Sequence, residues 1–159
     1  MGYNRSMPYL IDGHNLIPHL GISLSAADDE MELVTLLQEF CRLSRKEAHV
    51  YFDDAAAGQT ATRGFGAVTA HFVRPPLEAD DAIAERLRRL GGSASSWVVV
   101  SSDHRVQAEG RSAHAQVMSS QAFSRRLRET LAKATRSGSS AGGMSEGELG
   151  EWLEIFKNK

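Results

Sequence analysis

Short apolar segments that run into acidic residues constrain the fold of this chain more than any other feature of its sequence. The segments, each with the acid that follows it, are residues 9–11 with Asp12, 49–52 with Asp53 and 97–100 with Asp103. Apolar runs of this length between turn-forming residues are typical of strands buried on both faces. We therefore predict three buried strands, each of which leads to an acid.

The segments between these strands have the periodicity of amphipathic helices. Apolar residues recur at three-to-four spacing after the acidic stretch 28–30, and again in 78–90 and 121–135. The other elements are assigned from local composition, with strands at 68–73 and 115–118, a loop at 55–66 and one helical turn at 104–111. Strands that alternate with helices build a parallel sheet covered on both faces. We predict an α/β fold, a three-layer α/β/α sandwich with a mostly parallel sheet of about five strands.

Length and composition indicate one globular domain. The chain has 159 residues, of which 42% are hydrophobic and 24% charged, and a domain of this size can bury a core of its own. We expect an N-terminal extension at 1–8 and the main domain at 9–136. A flexible Ser/Gly linker at 137–147 and a C-terminal amphipathic helix at 148–159, which docks on the domain, are expected to follow.

Cysteine content and charge limit the environment and the partners of the chain. Cys41 is the only cysteine, which excludes an internal disulfide and indicates a reducing compartment, so we expect a cytoplasmic protein. No apolar run reaches the length of a membrane span, so no membrane partner is expected. The net charge of -2 excludes nucleic-acid binding through an overall positive field, so any such contact must be local.

The acids that follow the strands are predicted to converge. Asp12 and Asp103 come after buried parallel strands, and Asp80 and Asp81 begin a helix that starts at the same edge of the sheet. Crowded carboxylates repel one another unless a cation or a proton compensates. Because the ligands are oxygens, the expected cation is Mg²⁺ or Mn²⁺. Asp53 is a secondary candidate for this site.

Three segments carry a resemblance to a known family. They are Tyr9-Leu10-Ile11-Asp12-Gly13-His14-Asn15-Leu16-Ile17, Glu78-Ala79-Asp80-Asp81 and Val98-Val99-Val100-Ser101-Ser102-Asp103. Together they resemble the YacP-like members of the NYN branch of PIN-like nucleases, over residues from about 9 to 136. The resemblance implies a parallel sheet with helices on both sides, a divalent metal held by acids, and endonucleolytic cleavage of RNA.

The resemblance also assigns site residues. It places Asp12, Asp80 and Asp103 at the acidic positions and Asn15 at the signature amide, and we take these four as catalytic. Asp81 is a further expected metal ligand, and Glu78 another candidate.

The chain departs from the family pattern at two places. His14 stands where an aromatic such as Tyr is more common, and Ser119-Ser120 stand where many PIN domains have a fourth acid. The second departure favours one metal ion over two.

The expected substrate is RNA, mRNA in particular, and the modest charge leaves open that an assembly such as the ribosome supplies affinity. The expected substrate contacts are Asn15, Ser101, Ser102, Arg74, Arg105 and Arg125. One alternative is an RNA-binding or ribosome-associated module with weak or no catalysis, which the serines at 119 and 120 keep open. Another is a haloacid-dehalogenase-like phosphatase, which needs a second Asp where His14 stands. Oligomeric state is not predicted.

Overall fold

The computed structural model describes residues 7–21, 29–55 and 61–138, with the side chains of 135–138 excepted. Its centre is a sheet of six strands in the order β3-β4-β2-β1-β5-β6. The strands are β1 Tyr9–Asp12, β2 Ala48–Phe52, β3 Thr62–Phe65, β4 Val68–Phe72, β5 Val98–Val100 and β6 Gln116–Met118. All neighbouring pairs are parallel except β3 and β4. The predicted mostly parallel sheet is confirmed.

Helices cover both faces of this sheet. They are α1 Gly13–Leu16, α2 Asp29–Ser44, α3 Ala79–Leu90, α4 His104–Ser112 and α5 Ser120–Gly138, with 3-10 helices at Ile17–Leu20 and Gly91–Ser96. Apolar side chains of α2 and α5 pack in one core, and those of α3 and α4 pack in another. The predicted three-layer sandwich is therefore confirmed. None of the described helices is long and apolar enough to cross a membrane.

Alternation along β1 shows how one strand serves both cores. Tyr9 and Ile11 face the core with α2 and α5, whereas Leu10 faces the core with α3 and α4. The ring of Tyr9 lies edge-on to Phe123, with 5.1 Å between the ring centroids. Burial on both faces anchors β1 at the middle of the sheet, and so fixes the position of Asp12 at its end.

Gly13 allows the chain to turn into α1 directly after β1. A Cβ added at this position would lie 2.5 Å from Cε1 of Phe52 and 3.0 Å from the carbonyl oxygen of Tyr51. A side chain does not fit between α1 and β2, so only glycine permits this close approach. The tight turn brings Asn15 back towards Asp12, whose carboxylate accepts a hydrogen bond from the Asn15 backbone.

The structure corrects two sequence-based expectations. The predicted loop at 55–66 contains β3, an edge strand that pairs antiparallel with β4 and is mostly exposed. A strand with solvent on both sides needs no apolar alternation, so its pattern did not reveal it. The predicted single turn at 104–111 is the nine-residue helix α4, which is capped by the side chain of Asp103.

The expected C-terminal boundaries fall mainly outside the described residues. Helix α5 continues to Gly138, two residues into the expected linker at 137–147. The remainder of that linker, residues 1–6 of the expected extension at 1–8 and the expected helix at 148–159 lie outside the residues that the structure describes.

Candidate active site

Asp12 lies at the end of β1, beside the end of β5. Its Oδ2 atom accepts a hydrogen bond from the Ser101 hydroxyl at 3.3 Å, and the Asn15 backbone donates a second one. Ser101 is fully buried, and its Oγ also accepts from the Asp103 N–H at 3.0 Å. One serine hydroxyl therefore links Asp12 and Asp103, the acids that follow the adjacent strands β1 and β5. The sequence-based prediction of Ser101 as a substrate contact stays a prediction, while its burial favours this linking role.

The environment of Asp12 disfavours its negative charge. Burial raises the pKa of Asp12 from 3.8 to about 6, and the negative charges of Asp53 and Asp103 act in the same direction. Hydrogen bonds from Ser101 and Asn15 oppose this shift only in part. Asp53 and Asp103 are thus each near enough to Asp12 for their charges to act on it, as expected for acids at one edge of a parallel sheet.

The carboxylate of Asp103 caps α4. Its Oδ1 atom accepts from the backbone N–H of Arg105 at 2.8 Å and of Val106 at 3.4 Å. Both bonds use the same oxygen, so they orient the carboxylate while Oδ2 takes no part in the cap. The capping role and a role in the site are therefore compatible.

Asp80 and Asp81 lie in the first turn of α3, and Arg105 joins them to α4. Its guanidinium lies 3.3 Å from Oδ2 of Asp80 and 3.4 Å from Oδ1 of Asp81. Asp81 also accepts from the N–H of Glu78, whose side chain accepts from the Asp81 backbone in return. Glu78 therefore serves as a helix cap. Oδ1 of Asp80 is buried and has no hydrogen-bond partner among the described residues.

Asp53 is held at the same edge by His14 and by α3. Oδ1 of Asp53 lies 2.8 Å from Nδ1 of His14, and Oδ2 accepts from the Ala79 N–H at 3.4 Å. The other ring nitrogen of His14 lies 2.8 Å from Glu30. The hydrogen bond to Glu30, helped by Asp53 and opposed by burial, raises the pKa of His14 to about 9. A protonated His14 donates to both carboxylates and places a positive charge among the acids.

The side chain of Asn15 is bound at its oxygen. Oδ1 accepts from the Ser102 N–H at 2.7 Å and from the Ser120 hydroxyl at 2.6 Å. The N–H of Ser120 in turn donates to Oγ of Ser102 at 3.0 Å. These contacts join α1, the turn after β5 and the start of α5 at the edge where the acids lie.

Of the three arginines predicted to contact substrate, one pairs with acids of the candidate site and two do not. Arg105 is in the site, where it pairs with Asp80 and Asp81. Arg74 and Arg125 are exposed, and neither contacts these acids in the part of the chain that is described. The structure thus links Asp12, Asp53, Asp103, Asn15 and Ser102, whereas Asp80 and Asp81 pair with Arg105. The other two arginines lie apart from these acids among the described residues.

The carboxylate oxygens at this edge are of the type that binds a hard divalent ion, but the described acids are not grouped closely enough to hold one. Among residues 7–21, 29–55 and 61–138, no three His, Cys, Asp or Glu side chains form a group that could hold a metal ion. The buried, unpartnered Oδ1 of Asp80 and the disfavoured charge of Asp12 are nevertheless the features that a cation would relieve. Mg²⁺ keeps much of its hydration shell in proteins. A divalent ion at this edge stays a prediction from the sequence.

Two partnerships at this edge were not predicted from the sequence. The bond from Asp53 to His14 spans 39 positions and the bond from Asn15 to Ser120 spans 105. His14 and Ser120 both stand at the positions where the sequence departs from the family pattern. The departures from the family pattern at these two positions were the sequence signal that could have indicated the two partnerships.

The class of protein is an α/β domain with a mostly parallel sheet between helix layers and with acids at or after the ends of strands β1, β2 and β5. The sequence model of a protein family, described as YacP-like NYN domain, matches residues 9–151 of this chain. The chain belongs to the YacP-like NYN domain family, which confirms the resemblance drawn from its motifs. The match continues past the expected boundary at 136 and includes the Ser/Gly segment.

Solved structures agree with this fold. The structure of Rae1 (YacP) from Bacillus subtilis is 20% identical, with a TM-score of 0.67 over 94% of this chain and 90% of that one. Its W164L mutant is 22% identical, with a TM-score of 0.65 over 95% of this chain and 92% of that one. At these identities the likeness shows the fold alone. Comparison with curated proteins gave no match.

Proposed function

We propose that this protein is a metal-dependent endoribonuclease that hydrolyses phosphodiester bonds in RNA at the acidic edge of its sheet. The observation that carries the proposal is the position of Asp12, partly buried at the end of β1 and destabilised by Asp53 and Asp103. Asp53 and Asp103 also have structural partners, but perturbed carboxylates near one edge of a sheet are typical of functional sites, and metal-dependent cleavage uses such groups. Membership of the NYN family supports the same reaction.

The cofactor assigned to the site is Mg²⁺ or Mn²⁺, with Asp12, Asp80, Asp103 and Asp81 as the residues that would hold it. A bound ion of this kind acidifies water and shields charge on phosphate oxygens. The chain contributes ionised carboxylates in fixed orientations, since the Ser101 hydroxyl holds Asp12 and the cap of α4 holds Asp103. With a pKa of about 6, Asp12 is mostly ionised at neutral pH.

Arg105 is the basic residue best placed to meet the substrate. Its side chain is 63% exposed, so it is free to turn from Asp80 and Asp81 towards a phosphate group, and a cation bound by the two acids would balance their charge. Arginine suits this role because its planar group forms two hydrogen bonds to a phosphate. Arg74 and Arg125, together with Ser102 and Asn15, are the other proposed contacts.

The proposed substrate is RNA, and mRNA in particular. A net charge of -2 gives little general attraction for a polyanion, so an assembly such as the ribosome is proposed to add affinity. The cytoplasm is the proposed place of action, in keeping with a single, buried and unpaired cysteine.

One observation favours a second candidate function, an RNA-binding module that cleaves weakly or not at all. The described acids form no group that could enclose a metal ion, and serines replace the fourth acid. The phosphatase alternative is not retained, because the chain belongs to the NYN family and His14 is bound between two carboxylates.

A cleavage assay separates these functions. End-labelled RNA is incubated with the purified protein in Mg²⁺, in Mn²⁺ and in EDTA, with Asp12→Asn and Asp54→Asn as a matched pair of variants. Asp54 is exposed and has a φ of 62°, a conformation that Asn tolerates, so this control has the same charge change without the buried site. We expect metal-dependent internal cuts that only Asp12→Asn abolishes. Binding of RNA without cleavage in either metal would favour the module.

A further inference from the structure

Ser120 is a fully enclosed polar residue in contact with the candidate site. Its side chain is fully buried, and it begins α5 at the place where many PIN domains are expected to have an acid. The hydroxyl lies 2.6 Å from Oδ1 of Asn15, and the backbone N–H donates to Ser102. Ser120 is therefore bound to the site through both its backbone and its side chain.

The contacts of Asn15 determine which way its amide faces. The Ser102 backbone N–H can only donate a hydrogen bond, so the Asn15 atom 2.7 Å from it is the carbonyl oxygen. The Ser120 hydroxyl, which contacts the same oxygen, must then also donate. The amide Nδ2 is left with its two N–H donors, and no described residue accepts from it. Two donors on one oxygen thus fix the orientation of the amide.

A carboxylate at position 120 would not serve this purpose. It would present acceptor atoms to the Asn15 oxygen, and the amide could not flip to suit them because the Ser102 N–H holds it. A serine hydroxyl supplies the donor that the arrangement needs. Three hydrogen bonds link Asn15, Ser102 and Ser120 to one another, and connected buried networks hold their members rigidly.

We infer that Ser120 is a positioning residue, which fixes the Asn15 amide so that its Nδ2 donates to a phosphate oxygen of the RNA. The inference rests on the proposed function and adds a residue that acts through Asn15 without touching substrate. The serine at this position is then the partner of the signature amide, and it takes no part in holding metal.

Two variants with the same chemical change test the inference. Ser120→Ala removes the hydroxyl that binds Asn15. Ser119→Ala, the control, removes the hydroxyl of its neighbour, which accepts from the Ala122 N–H at 3.0 Å at the start of α5. Both variants lose one hydrogen bond near the same helix terminus, so a general loss of stability affects both.

The first readout is the side-chain amide signal of Asn15 in a ¹H–¹⁵N NMR spectrum, recorded without metal or RNA and assigned with Asn15→Ala. We expect Ser120→Ala to shift or broaden this signal and Ser119→Ala to leave it in place. An unchanged Asn15 signal in Ser120→Ala would overturn the inference.

The second readout is kinetic. Single-turnover cleavage at saturating protein should slow roughly 10- to 100-fold in Ser120→Ala, with little change in RNA affinity. The same substitution in an Asn15→Ala background should have no further effect, because Ser120 acts through Asn15. Equal losses in both backgrounds would overturn the inference. If the wild-type protein cleaves no RNA, the proposed function fails, and the Asn15 spectrum alone decides whether Ser120 orients the amide.

Discussion

Nδ1 of His14 lies 2.8 Å from Oδ1 of Asp53, and this contact connects the helix after β1 to the loop after β2. The same imidazole contacts Glu30 at the start of α2. Asp53 also accepts from the first backbone N–H of α3, the helix that carries Asp80. His14 is thus part of the framework that sets α1, α2 and α3 against each other around Asp12.

The raised pKa of His14 predicts a stability that depends on pH. Because the folded pKa is about 9 against 6.5 for a free imidazole, the contribution is fully present below pH 6.5 and is lost as the pH rises through 9. Relative to His14→Gln, we expect wild-type protein to gain on the order of 1–3 kcal/mol at pH 6 and little at pH 10. Urea unfolding across this range measures the difference. His104→Gln, at an exposed histidine, is the control, and an equal effect of His14→Gln at both pH values would contradict the assignment.

The raised pKa of Asp12 predicts a loss of stability with rising pH as well, but in a lower pH range. Its folded pKa of about 6 lies above the ordinary 3.8, so the folded state takes up protons in this window and loses stability as the pH rises through it. In metal-free buffer, the free energy of unfolding of Asp12→Asn relative to that of wild type should rise by on the order of 2 kcal/mol as the pH increases from 4 to 6. Thermal or urea unfolding in EDTA provides the measurement. A difference that stays constant from pH 4 to pH 7 would count against burial of the Asp12 charge.

Binding of a divalent ion should offset the loss of stability that the charged form of Asp12 causes in the folded state. A ligand that binds only the folded state at 100 times its Kd adds about 2.7 kcal/mol to the free energy of unfolding. We expect Mg²⁺ or Mn²⁺ to raise the Tm of wild type and of Asp54→Asn, and to leave Asp12→Asn and Asp80→Asn unchanged. Equal Tm increases in all four proteins would place the ion elsewhere.

Gly13 is predicted to be intolerant of any side chain. Gly13→Ala places a Cβ 2.5 Å from the Phe52 ring and 3.0 Å from a backbone oxygen, and overpacking of this kind costs about 1–3 kcal/mol. Gly92→Ala is the matched control, because an added Cβ there meets nothing within 4 Å. Urea unfolding should show a large loss for the first variant and a change within about 0.5 kcal/mol for the second. Similar values for the two would show that α1 does not approach β2 as described.

The sequence was sufficient to predict the sheet and the edge at which the acids lie. Buried strands such as Val98–Val100 are apolar throughout, and parallel strands bring their carboxyl ends to one edge, so the positions of Asp12 and Asp103 followed from local pattern. Strand β3 escaped prediction because an exposed edge strand carries no such pattern. Side-chain partners such as Asp53 with His14 and Asn15 with Ser120 depend on how distant segments dock, which local periodicity does not encode.

The most direct test compares the cleavage rates of Asp12→Asn, Asp80→Asn and Asp103→Asn with that of Asp54→Asn, on one RNA at one Mg²⁺ concentration. If the three acids serve one reaction, each of the first three variants loses at least about 100-fold in rate, as expected when a metal site is broken, while Asp54→Asn cleaves as the wild type does. Cleavage at the wild-type rate by all three site variants would contradict the assignment of the reaction to this edge of the sheet.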